Sequence, residues 1–240
     1  LDEAARILGQ DRDAVALPLL VLPEHGIIIT EAAAGQPLSR LLASASTSRR
    51  AAMIGRAGQW LAKLCHDSRE DGTFGPFFWI GALDQRIAAT KGDWIDGDLV
   101  ASHMGLMRAE AEPLRGAPVA RAAIHGDLTP DNLFLDPACN RMTGIDIQDR
   151  HTAPVARDMA RLLVWLESRR RWPARRRIDG ITAADHAALI AAPGLMGADQ
   201  LAILRFMIGA IALEAYLDSA RQPRRRRALM RCLKDWAIRA

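Results

Sequence analysis

Apolar residues recur at helical spacing through residues 48–65, at Met53, Ile54, Ala57, Trp60, Leu61 and Leu64, which predicts a helix with one buried face. Residues 1–9 (LDEAARILG) read as the end of another amphipathic helix, with Gly9 as its stop. Two short apolar runs, 19–22 and 27–30, flank Pro23-Glu24-His25-Gly26, the pattern of a hairpin around a turn. Residues 31–35 then lead into Pro37, a favoured first position of a helix. Residues 71–76 read as loop, and 81–115 as helix with a break near 92–97. Short strand-like runs at 122–125, 132–135 and 142–147 border loops. From Pro154 onward the pattern is helical, with breaks at Trp172-Pro173, Pro193-Gly194 and Gln222-Pro223. The order is strands, helices, a cluster of strands, then helices, without an internal repeat. That order predicts an α+β chain in which a small strand-bearing start packs on a large helical remainder.

Composition adds limits. Half of the 240 residues are hydrophobic and a quarter charged, so a packed core is within reach. Three cysteines (Cys65, Cys139, Cys232) without motif spacing argue against a disulfide framework or a zinc site and for a reducing, cytoplasmic setting. The longest apolar stretch, 201–217, carries Arg205 and Glu214 and reads as a core helix rather than a membrane span. Charge is unevenly spread. Residues 1–150 hold 15 Lys+Arg against 20 Asp+Glu, and residues 151–240 hold 17 against 8, so the first part is net −5 and the second net +9.

One segment carries chemistry. His125-Gly126-Asp127 is followed by Asn132, and a second carboxylate, Asp146, ends the next strand-like run. An Asp on a loop leaving a strand can orient and deprotonate an acceptor hydroxyl, and an Asn one loop-length on can offer its carbonyl oxygen to Mg2+. The strand–turn–strand between Asn132 and Asp146 brings the second hard oxygen ligand to the same place.

These residues resemble the aminoglycoside phosphotransferase and choline kinase family, small-molecule relatives of the protein kinases. The family motif, His-Gly-Asp-x4-Asn followed by a hydrophobic residue and Asp, matches His125, Gly126, Asp127, Asn132 and Asp146. The stretches 145–149 and 156–160 also resemble family segments, as does 60–66, where relatives carry Leu-x-x-Leu-His. The resemblance runs from near residue 1 to about residue 166. It implies a protein-kinase-like two-lobe fold, with a partial N-terminal lobe at 1–34 and a C-terminal lobe at 35–240. It also implies ATP and Mg2+ as cofactors and a small-molecule hydroxyl acceptor as partner. Asp127 becomes the catalytic base, His125 the brace of its loop, and Asn132 and Asp146 the metal ligands. Thr30, Glu31 and Ala33 become the hinge, where the Glu31 carbonyl and the Ala33 N–H meet the adenine edge. Asp158 is expected to tie its helix to the catalytic loop.

A complete kinase of this type also needs a Gly-rich strand pair and a lysine on the third strand. No Gly-rich run precedes residue 20, and the first lysine is Lys63, in a predicted helix. Glu3 is a candidate partner for such a lysine. The start without Met, mid-helix, leads us to expect that the parent protein supplies these parts upstream, and that the 240 residues alone catalyse poorly. The competing expectation is a pseudokinase-like binding or regulatory module that does not transfer phosphate.

The positive second part opposes a polycationic acceptor and favours a neutral or anionic sugar or metabolite, unless Asp149, Glu167, Asp179 and Asp185 build a local exception. The arginine clusters at 169–171, 175–177 and 224–227 have few interleaved aromatics and no accompanying motif, so we expect no nucleic-acid partner; a few of these side chains could instead bind an anionic acceptor. Of Phe74, Phe77, Phe78 and Trp79, we expect a core or interlobe plug.

Overall fold

The computed structural model describes residues 2–147, 151–170 and 172–238. It opens with helix α1 (Asp2–Leu8), which stops at Gly9, followed by strand β1 (Asp13–Val15) and the hairpin β2 (Pro18–Leu22) and β3 (Ile27–Thr30). The hairpin turns through Pro23–His25, with Gly26 left-handed at φ 61°, as the Pro-to-Gly spacing requires. Its apolar side chains are exposed on both faces, Leu19 by 69% and Ile28 by 59%. After β4 (Gln36–Pro37) come α2 (Leu38–Ala43) and α3 (Thr47–His66). Pro37 is the residue before α2 rather than its first turn. Ser46, whose side chain accepts the Arg49 N–H, caps α3.

All six apolar positions singled out in α3 are buried. Trp60 anchors most: its Nε1 donates to the Ala14 carbonyl at 3.0 Å, and its ring lies against Gly144, where a Cβ would meet Cζ2 at 2.3 Å. Only glycine permits that approach. Arg56, on the same helix, pairs with Asp13 at 2.6 Å. These two contacts hold β1 in place.

Next along the chain are β5 (Glu70–Thr73), α4 (Pro76–Ala89), α5 (Gly97–Leu114) and the strands β6 (Pro118–Ala123), β7 (Leu133–Asp136), β8 (Arg141–Gly144) and β9 (Thr152–Pro154). β7 and β8 form an antiparallel pair, extended to the order β1-β8-β7-β4, with β1 parallel to β8. A second sheet runs β5-β6-β9. The polar run Glu70–Thr73 is therefore a strand and not loop. It lies at a sheet edge with three of its four residues exposed, where backbone pairing to β6 replaces any need for an apolar face.

The chain ends with α6 (Val155–Ser168), the two-residue strands β10 (Arg177–Ile178) and β11 (Ile181–Thr182), α7 (Ala183–Ile190), α8 (Leu201–Leu217) and α9 (Pro223–Trp236). The β10–β11 pair interrupts the expected run of helices. α8 is the core, flanked by α4, α5, α6 and α9, with Phe206, Leu213 and Tyr216 fully buried. Residues 198–217 are long and apolar enough to cross a membrane, yet 72% of the most apolar 18-residue window within them is buried in the protein. Phe74 is core, edge-on to Phe206 at 5.4 Å, whereas Phe77 and Phe78 are exposed; the expected aromatic plug is thus one residue of the four, with Trp79 at its margin.

Candidate active site

The loop between β6 and β7 (residues 124–132) is held from three sides. Gly126, at φ +91°, takes a turn that a side chain would strain. Behind it, the fully buried Asp158 of α6 accepts the His125 N–H at 2.7 Å and the Gly126 N–H at 3.2 Å, while Arg157 Nη1 donates to the Gly126 carbonyl at 2.8 Å. The tie expected of Asp158 is present. Burial pushes the Asp158 carboxyl above its ordinary range, against the pull of His125, Arg157 and the two N–H donors.

His125 is wholly buried, and burial lowers its pKa below the ordinary value despite Asp158, the Ile145 carbonyl and Asp127. The ring is accordingly neutral near pH 7, and its network assigns the tautomer. Nε2–H donates to the Ile145 carbonyl at 3.0 Å, leaving Nδ1 to accept the Asp127 N–H at 3.4 Å. His125 is thus a bridge between the β6–β7 loop and the residue preceding Asp146. Trp60 stands 6.0 Å from it, centroid to centroid.

Asn132 Nδ2 donates to the Asp127 carbonyl at 2.9 Å and lies 3.4 Å from Asp127 Oδ2. With the amide nitrogen fixed inward, its carbonyl oxygen is the end left for a cation. Across the β7–β8 pair, the Ile145 N–H donates to the Asn132 carbonyl at 3.0 Å, which places Asp146 one residue beyond the position facing Asn132. Asp146 is exposed and left-handed at φ +54°, a conformation that costs free energy and gathers at functional positions. Asn132 and Asp146 thus flank the β7–β8 pair, and Asp146 has no partner among the described residues; an amide oxygen and a carboxylate so placed could hold a hard divalent cation that keeps waters and phosphate oxygens in its shell.

Asp127 opens onto a cavity of about 370 Å³ lined also by Asn132, Arg161, Trp165, Arg169 and Arg225. Arg161 Nε donates to Asp127 Oδ1 at 2.8 Å, and its Nη1 lies 3.5 Å from Glu214 Oε1. Burial lowers the Arg161 pKa, but Glu214 and Asp127 outweigh it and hold the guanidinium above its ordinary value. Arg161, Glu214 and Trp165 are functional candidates that the motif did not reveal. Arg161 sits one turn after Asp158 on α6, so the helix assignment was the signal that could have found it.

The hinge candidates lie elsewhere. Thr30 ends β3 opposite Pro18, and the Glu31 N–H donates to the Leu17 carbonyl at 2.9 Å. Thr30, Glu31 and Ala33 do not line the Asp127 cavity. Lys63 Nζ donates to the Leu8 carbonyl at 2.6 Å and lies 3.7 Å from Asp13, so it braces α1 and β1. Glu3 is on the exposed side of α1.

The local acids are engaged with protein partners. Glu167 accepts from Thr182, Asp179 pairs with Arg205, and Asp185 accepts from Arg50 and Arg170. Burial raises the Asp185 carboxyl, but the two arginines outweigh it and hold it low. These three do not build an acidic pocket. Asp149 and Gln148, and Arg171 of the first arginine cluster, lie outside the described residues.

A family model described as "Phosphotransferase enzyme family" matches residues 3–197. No curated protein matches the chain. Solved structures share the fold at low identity. Glucosamine kinase in complex with glucosamine, ADP and inorganic phosphate superposes with a TM-score of 0.65 at 15% identity, covering 98% of this chain and 67% of that one. A choline/ethanolamine kinase family protein from Mesorhizobium loti gives 0.61 at 20% identity over 97% and 80%. Amicoumacin kinase hAmiN with AMP-PNP, Ca2+ and Ami gives 0.62 at 14% over 97% and 75%. The chain spans about two thirds of the length of the glucosamine kinase. By the family model and by a kinase-like α+β fold in which small sheets serve a helical body, the chain belongs to the phosphotransferase enzyme family, a class of kinase-type enzymes.

Proposed function

We propose that the protein transfers the γ-phosphate of ATP to a hydroxyl group of a small molecule, a neutral or anionic sugar or metabolite rather than a polycation. The observation that carries this reading is Asp127, buttressed by Asn132 and Arg161 and facing a cavity of about 370 Å³, a volume suited to one small acceptor.

In this reading Asp127 aligns the acceptor hydroxyl and takes its proton. The acceptor oxygen bonds to the γ-phosphorus while the bridging bond to the β-phosphate breaks, and ADP leaves. Asn132 and Asp146 would hold Mg2+, which neutralises phosphate charge when bound. His125 does no proton chemistry. It fixes the loop, because both its ring nitrogens are engaged by backbone groups. Thr30, Glu31 and Ala33 remain our assignment for the adenine edge, with the Glu31 carbonyl and the Ala33 N–H as the contacts. We also retain the division at residue 34, with α1 and β1 packed back onto α3 and β8. Relatives that carry glucosamine with ADP, or AMP-PNP with Ca2+, support nucleotide and divalent metal use.

The test is ADP release by the full-length protein with ATP and Mg2+, against panels of neutral, anionic and cationic hydroxyl compounds. We expect turnover with neutral or anionic members. Turnover confined to aminoglycosides contradicts the acceptor class, and nucleotide binding without turnover on any panel supports a regulatory module instead.

A further inference from the structure

The cavity at Asp127 continues into a second cleft of about 840 Å³ between the end of α6 and the start of α9, and Arg169 and Arg225 line both. Among the described residues, six arginines and no carboxylate line that cleft. One of them, Arg170, is committed to Asp185 at 2.8 Å. Arg225 is not so provided for. Among the described residues its buried Nε has no hydrogen-bond partner, and Nη1 reaches only Gln222 Oε1, at 3.5 Å. Arg169 lies over the Trp165 ring at 5.2 Å, which positions its charge without neutralising it.

The carboxylates of the catalytic cavity do little to balance these charges. Asp127 is held by Arg161, and Asp218 by Arg86 of α4. Among the described residues that leaves Asp131, exposed on the β6–β7 loop. Burial lowers the Arg225 pKa, Arg169 and Arg161 repel it further, and Asp218 only partly opposes them. The setting compounds the problem: α9 begins Pro-Arg-Arg-Arg-Arg with no acid in its first turn, although the positive end of a helix favours anions. Cations crowded against a helix start and lacking partners are stable together when an anion joins them.

We propose that the acceptor is an anionic hydroxy compound whose carboxylate or phosphate group is held by Arg225 and Arg169 at the junction of the two cavities. Its hydroxyl is thereby presented to Asp127. The inference rests on the transfer reading above and narrows it from neutral or anionic to anionic. A planar guanidinium with free donors suits both carboxylate and phosphate, by paired hydrogen bonds.

The test follows the Arg225 Nε–Hε resonance in the full-length protein, without nucleotide, during titration with inorganic phosphate, gluconate, glucose and glucosamine. We expect saturable shifts with phosphate and gluconate and none with the two others. Arg225→Gln should weaken anion affinity by about tenfold or more, Arg225→Lys by less, and Arg108→Gln, at a surface pair with Asp84, not at all. Should Arg225→Gln fail to fold, the wild-type resonance and the lysine variant still decide. An unmoved Arg225 resonance at high anion, or glucose bound as tightly as gluconate, overturns the proposal. So does a short single-stranded oligonucleotide that binds far more tightly than phosphate at physiological salt, since the arginines would then serve nucleic acid. Asp127→Asn should bind the anions unchanged. Anion binding with no transfer to any hydroxyl overturns the transfer reading and leaves the subsite standing. Transfer to neutral sugars with kcat/KM indifferent to Arg225→Gln does the reverse.

Discussion

Arg161 Nε donates to Asp127 Oδ1 at 2.8 Å, and the same guanidinium reaches Glu214 on α8, so the aim of the proposed base, on the β6–β7 loop, is set by a residue of α6 that is itself held from α8. Arg161→Ala should lower kcat by about 10²-fold through misplacement of Asp127, with a smaller loss for Glu214→Gln. Arg161→Lys should recover part of it. Steady-state kinetics check this, and an Arg161→Ala enzyme with wild-type kcat removes Arg161 from the account.

Asp146 occupies a left-handed conformation that asparagine also tolerates. Asp146→Asn therefore removes charge with little backbone penalty. Turnover should fall by about 10²-fold or more, with a higher Mg2+ requirement in a metal titration. Unchanged Mg2+ dependence contradicts the assignment of Asp146 to the metal.

Much of this was legible in the sequence, for identifiable reasons. The α3 stripe and the Pro23-to-Gly26 turn were readable because local spacing and φ preferences decide them. The link between Asn132 and Asp146 was readable because a short antiparallel pair joins them. β5 was missed because Glu-Asp-Gly-Thr has no strand pattern and becomes a strand only by pairing with β6. β1 was missed because its partner, β8, lies far along the chain. Arg161 was hidden for the same reason: it looks like an ordinary helix arginine until α6 and α8 converge on the cavity. Arg225 stood in a cluster that the sequence singled out, but which of those arginines faces the cavity shows only where α9 packs against α6.

Asp158 satisfies two N–H groups of the β6–β7 loop from a fully buried position. Asp158→Ala leaves both without a partner and should destabilise the protein by on the order of 3 kcal/mol. Denaturant unfolding measures this directly. A loss under about 1 kcal/mol would show that the loop finds other acceptors.

Stability should fall on mild acidification. Burial lowers the His103 pKa from 6.5 to about 4, with the Gly209 carbonyl opposing and Arg205 adding to it. The unfolded chain takes up this proton near pH 6.5 while the folded one stays neutral to about pH 4. The favourable difference is whole above pH 6.5 and is lost as pH falls between those values, at a cost of about 3 kcal/mol. His125 and His186, also lowered by burial, act in the same direction. Unfolding midpoints across this pH range should decline, and His103→Gln should flatten the decline; a wild-type profile flat down to pH 4 contradicts the burial argument.

The most direct test compares the full-length wild type with Asp127→Asn, measuring phosphoryl transfer to an acceptor found in the panel and ATP binding on the same preparations. Transfer should fall by about 10³-fold or more while ATP affinity stays within about twofold. Wild-type kcat in Asp127→Asn would contradict the central claim that this carboxylate, held by Asn132 and Arg161, receives the acceptor's proton.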